Sequence, residues 1–154
     1  MKKKGIVTGI LSMLCIIALC GCGGNKYAFE DTLMFGHKWG EKEDDFYLEK
    51  TDNYRVTKDG ELFGYLVEGM DGNFNDDGKL DCLWYTITLA DEENANDVMD
   101  KMFELLKDQT VLQHDEYETK EYVEWNTHDG PGGVTASKVK NGSLWEISIS
   151  CWYR

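Results

Sequence analysis

The sequence predicts an α+β domain: an antiparallel sheet of about six strands with one main helix packed on one face, in the order (α)βββαβββ. Three observations predict it. Two-residue turn signals that tolerate positive φ, Asp59-Gly60 and Asn141-Gly142, each stand between β-rich runs. Between them Leu83, Tyr85, Ile87 and Leu89 alternate with Thr86 and Thr88, as in a strand with one face buried. Finally, Ala95, Val98, Met99, Met102, Phe103 and Leu106 recur at helical spacing, giving one apolar stripe to lie on the sheet.

Taken in order, the bracketed helix is a short one over Glu41 to Leu48, which has only Phe46, Tyr47 and Leu48 for an apolar side. The first two strands are Tyr54-Arg55-Val56-Thr57 and Leu62 to Val67, joined at Asp59-Gly60; the third runs from Leu80 to Leu89. Asp91, Glu92 and Glu93 suit the positive end of the main helix, and Lys101 and Lys107 come later. A fourth strand, Tyr122 to Asn126, precedes the Pro131-Gly132-Gly133 loop. The last two, Val134 to Lys140 and Leu144 to Tyr153, flank Asn141-Gly142. Asp59-Gly60-Glu61-Leu62-Phe63 and Asn141-Gly142-Ser143-Leu144-Trp145 are alike, but two copies do not make a repeat.

The N-terminus is built differently. Lys2, Lys3 and Lys4 precede a 14-residue, almost wholly apolar run from Ile6 to Leu19, and small residues follow. A bilayer-spanning helix needs about 20 apolar residues, so the run fits a cleaved signal core. Leu19, Cys20, Gly21 and Cys22 resemble the lipobox of bacterial lipoproteins. The resemblance implies a signal peptide over 1–21, lipidation of Cys22 and a mature protein held on the extracytoplasmic face of the cell membrane. Cys20 is the rival acceptor, but it would put Leu19 where a small residue is required. Each buried methylene contributes about 0.8 kcal/mol, so two or three acyl chains hold such a protein firmly. Residues 22–30 then form the lipidated cysteine and a short tether, and 31–154 a single domain. The element order also resembles small two-layer envelope lipoprotein domains, by analogy of fold alone.

Removing 1–21, which holds three lysines and no acid, takes the net charge from −13 to −16. Such a balance disfavours nucleic acid and anionic lipid surfaces and suits cations or basic peptides. With 42% hydrophobic and 12% aromatic residues the domain has material for a core.

No catalytic set emerges. His37, His114 and His128 lie in separate segments, and Ser148 and Ser150 stand on the polar alternation of the last strand. The chain reads as not an enzyme. Asn73, Asn75, Asp77, Lys79 and Asp81, with Gly78 at the sharp turn, resemble the calcium loop of EF-hand and dockerin modules. The resemblance implies Ca²⁺ as a possible ligand, Lys79 giving its backbone carbonyl. Trp84 stands where the bidentate Glu belongs, and the alternative is a polar Asx/Gly turn between strands. Cys82 and Cys151 can oxidise in an exported protein, although alternation puts them on opposite faces, so a bridge requires a bulge. Trp84 and Trp152 also fall on the polar alternation, where they form an exposed platform or pack under another segment. The sequence thus points to a membrane-anchored, non-catalytic lipoprotein that binds a protein or peptide at the cell envelope. A carbohydrate- or Ca²⁺-binding module is the alternative.

Overall fold

The computed structural model describes residues 27, 29–51, 55–57, 60–127 and 132–153, without the side chains of 55 and 56. The signal segment, Cys20, Cys22, Tyr54, Asp59, His128 and Pro131 lie outside them. Two four-residue helices, α1 (Glu30–Leu33) and α2 (Glu43–Phe46), come first, followed by a strand pair, β1 (Glu49–Lys50) and β2 (Arg55–Val56). Then come β3 (Gly60–Leu62), β4 (Tyr65–Phe74), β5 (Leu80–Leu89), α3 (Glu92–Leu105), β6 (Thr110–Tyr117), β7 (Lys120–Asn126), β8 (Gly132–Asn141) and β9 (Leu144–Tyr153).

The main sheet has seven antiparallel strands in the order β3-β4-β5-β9-β8-β7-β6. One meander, β3 to β5, reaches the centre; α3 carries the chain to the far edge, and a second meander, β6 to β9, returns until β9 pairs with β5. Four strand spacings separate β5 from β6, about 19 Å, and the 14 residues of α3 span about 21 Å. A helix of this length therefore suits the crossing, and α3 lies against β5, β8 and β9. Its start is fixed by Asp91, whose carboxylate accepts the Asn94 N–H at 2.8 Å.

Ala95, Val98, Met99, Met102 and Leu106 are buried, while half-buried Phe103 lies edge-on to Trp125 with ring centres 5.1 Å apart. The sheet face they cover is built of matched pairs: Leu83 opposite Cys151, Tyr85 opposite Ile149, Ile87 opposite Ile147 and Leu89 opposite Trp145. Val134, Ala136, Val123 and Trp125 continue the same face across β8 and β7. Its other end lies under the N-terminal segment, where Phe35 packs on Tyr85, Trp39 on Tyr153 and Phe46 on Phe74.

An antiparallel sheet with one main helix is thus present, with more strands than expected. β6 was not foreseen, and the Leu62–Val67 run is a hairpin rather than one strand. It turns at Phe63-Gly64, both at positive φ (56° and 90°), the signature of a type I′ turn. Nor, among the described residues, does Arg55-Val56 pair with the Leu62–Val67 run: β2 pairs with β1. A hairpin does stand at Asn141-Gly142, but its two turn residues are Gly142, at φ 64°, and Ser143, while Asn141 pairs with Leu144 in the ladder. The packed part begins before residue 31, because Phe29 and Glu30 are buried and Glu30 accepts the Trp39 indole N–H at 2.8 Å.

Candidate functional site

The face of the sheet turned away from α3 carries the polar half of each alternation. Registers place its side chains in cross-strand rows. Trp84, Ser150, Thr135 and Glu124 form one row across β5, β9, β8 and β7, and Thr86, Ser148, Ser137 and Tyr122 form the next. A third holds Cys82, Trp152, Gly133 and Asn126. The face is hydroxyl-rich, with Glu146 of β9 between Thr88 and Val139 and further carboxylates at its sides. Glu68 accepts the Thr88 hydroxyl at 2.8 Å on one flank, and Glu124 accepts the Tyr122 hydroxyl at 3.1 Å on the other.

The two tryptophans expected there differ. Trp84 is 39% exposed. Trp152 is half-buried and lies over Gly133, where a Cβ would stand 2.2 Å from its Cζ2. A glycine at 133 is what lets the indole lie against the strand. The remaining described tryptophans belong to the inner layer: Trp125 and Trp145 are buried, and Trp39 packs against the core.

Cys82 and Cys151 are free thiols on opposite faces. The possible disulfide is therefore not formed, for the reason the alternation gave: no bulge interrupts the β5–β9 ladder to bring the sulfurs together. Cys82 Sγ instead lies 3.3 Å from the Ser150 hydroxyl. Burial raises the pKa of both thiols, that of fully enclosed Cys151 far more.

The suspected calcium segment is the β4–β5 hairpin. Asn73 and Asp81 stand on the two strands, the Asn73 amide donating to the Asp81 carboxylate at 3.3 Å. Asn75 organises the turn, its side-chain oxygen accepting the N–H groups of Asp77 and Lys79, each at 3.0 Å. The Lys79 carbonyl accepts the Asn75 N–H at 2.9 Å. Asn75, Asp77 and Lys79 thus form an Asx-type turn, with Asn73 and Asp81 on the strands that lead into it. Among the described residues no group of three or more His, Cys, Asp or Glu could hold a metal ion.

His37 and His114 each meet a carboxylate, and the two are not brought together. Buried His37 has Nδ1 2.9 Å from Glu41, and His114 has Nε2 3.0 Å from Glu121. Glu121 also receives Lys138 Nζ at 2.9 Å, and Lys138 donates to Asn96 on α3 at 2.7 Å. This charged group on the helix-covered face was missed in the sequence. The signal was the parity of β8, where Lys138 follows Val134 and Ala136, and of β7, where Glu121 precedes Val123 and Trp125.

No helix among the described residues is long and apolar enough to cross a membrane. Comparison of the chain with protein-family models, with curated proteins and with solved structures finds no match.

Proposed function

We propose that this chain is a lipid-anchored, extracytoplasmic and non-catalytic protein that captures a protein or peptide partner at the cell envelope. Its anchor rests on the sequence of the first 22 residues: three lysines, a short apolar core and Leu19-Cys20-Gly21-Cys22. The observation that carries the binding half is the unequal use of the two sheet faces. One is packed beneath α3 and the N-terminal segment; the other holds the hydroxyl rows with Trp84 standing 39% exposed among them. An aromatic side chain kept accessible amid hydroxyls and flanked by acid suits recognition, since it offers a rigid apolar anchor with hydrogen-bonding groups around it.

A second reading has its own support. Trp152 lying over Gly133, diagonal to Trp84 across Ser150, makes a two-indole surface suited to a sugar ring.

A photo-crosslinking residue at Thr86 in the full-length protein, expressed in its own envelope, tests both. Formation of a protein adduct that disappears on Cys22→Ser is the expected result. Absence of an adduct, with Trp fluorescence quenched by envelope oligosaccharides, would favour the sugar reading instead.

A further inference from the structure

The two edges of the main sheet are treated differently. At one edge β3 has only three residues, and beyond it the N-terminal segment lies against β4 through α2, with the Tyr47 hydroxyl donating to Asp71. At the other edge β6 is eight residues long, and among the described residues β7 is its only strand neighbour. From Gln113 to Tyr117, past a register shift at Val111/Gln113, alternate residues turn their backbone donors and acceptors away from the sheet. Along the same strand Val111, Leu112 and Tyr117 are 46%, 56% and 67% exposed.

Charge says what can sit there. Residues 108–126 carry six carboxylates, Asp108, Asp115, Glu116, Glu118, Glu121 and Glu124, against the single lysine Lys120. Among the described residues only Glu121 of these meets a buried cation, Lys138. A second copy of this edge would bring like charges together, whereas a basic strand would neutralise them. Asp115 and Glu116 are opposite Tyr122 and Glu121, so they project to opposite faces of β6. Two adjacent basic residues on an incoming strand would meet both, and a neighbouring apolar residue would reach Val111 and Leu112.

We propose that β6 is a strand-addition site for an extended, basic segment of a partner protein, with Lys or Arg opposite Asp115 and Glu116 and an apolar residue beside Val111 and Leu112. It rests on the peptide-binding reading above and adds to the Trp84 face a second contact, at the far edge of the sheet, with a stated partner chemistry. Backbone pairing along β6 supplies the attachment and the carboxylates select the sequence.

The test uses the full-length protein in detergent micelles and a capped twelve-residue peptide of Lys, Val and Thr, compared with the same peptide N-methylated at alternate residues. Hydrogen exchange at 110–117 should slow when the parent peptide binds. Affinity should fall at least about tenfold on N-methylation, and by a similar factor in Asp115→Lys/Glu116→Lys, whose fold is checked by circular dichroism. Equal binding of the methylated peptide would mean attraction by charge alone and would overturn strand addition. So would an absence of binding, or protection of β6 that grows with protein concentration when no peptide is present. A partner crosslinked through Thr86 with β6 unprotected removes this site and leaves the envelope-binding reading intact. Protection of β6 by the peptide with no crosslinked partner does the reverse.

Discussion

Glu121 and Lys138 stand directly opposite one another on β7 and β8, and their charged ends meet at 2.9 Å on the helix-covered face, each side chain 9% exposed. The second Glu121 oxygen faces His114, and Lys138 reaches Asn96 and lies 5.7 Å from the centre of the Trp145 ring. A buried pair of this kind offsets its own desolvation only while both partners are present.

Lys138→Met should therefore destabilise the protein by roughly 3 kcal/mol, since it strands the Glu121 carboxylate in the interior. Glu121→Leu/Lys138→Met should recover most of that loss, the two apolar side chains filling the same space. Urea midpoints at unchanged slope measure both. A double variant no more stable than the single would show that the pair itself holds β7, β8 and α3 in register.

Gly133→Ala should cost about 1–3 kcal/mol, the range for forcing an extra methyl into a packed site. The new Cβ would lie 2.2 Å from the Trp152 ring and 2.6 Å from the Trp125 carbonyl oxygen, and a backbone oxygen cannot swing aside. Trp152 should be pushed off the strand and its fluorescence shifted to the red. An unchanged spectrum and midpoint would contradict the packing of the ring over β8.

Both cysteines should survive as thiols, so the mass of the exported protein should not change on reduction. Native alkylation at pH 8 should modify Cys82 slowly and leave Cys151 untouched. Burial raises both pKa values, which shrinks the reactive thiolate fraction at a given pH, and Cys151 is fully enclosed. The Cys82 rate should keep rising with pH beyond the point where an ordinary thiol levels off. Cys151 should react only after denaturation.

The β4–β5 hairpin should respond to its turn and not to calcium. Asn75→Ala removes the acceptor for two turn N–H groups and should cost about 1 kcal/mol. The melting midpoint in 10 mM Ca²⁺ should match that in 10 mM Mg²⁺ at equal ionic strength. A calcium-specific rise abolished by Asp77→Ala would restore the metal site.

What was legible in the sequence was whatever burial had written as a period. The alternation of β5 and the stripe of α3 were read correctly, because a half-buried strand and a face-buried helix each sort their residues by side. The opposite facing of Cys82 and Cys151 followed from the same parity. β6 was not legible because, as an edge strand, it leaves Val111, Leu112, His114 and Glu116 exposed alike and so has no alternation to find. The Phe63-Gly64 turn was hidden by an aromatic residue at positive φ, where Asn or Asp is the usual sign. β4 lost its pattern to Gly69, Gly72 and two irregularities of register, so its end read as loop and not as strand. Lys138 and Glu121 were in plain parity with the core, yet charge argued against burying either until each was seen to have the other.

The most direct test of the central claim, an acyl anchor that presents this domain to an envelope partner, is the N-terminus of the mature protein. Mass spectrometry of protein extracted from membranes should find a chain beginning at Cys22 and carrying two or three acyl groups. Cys22→Ser should abolish palmitate labelling and leave the chain unprocessed or released. A mature chain beginning at any other residue, or labelling that persists in Cys22→Ser and disappears in Cys20→Ser, would contradict it.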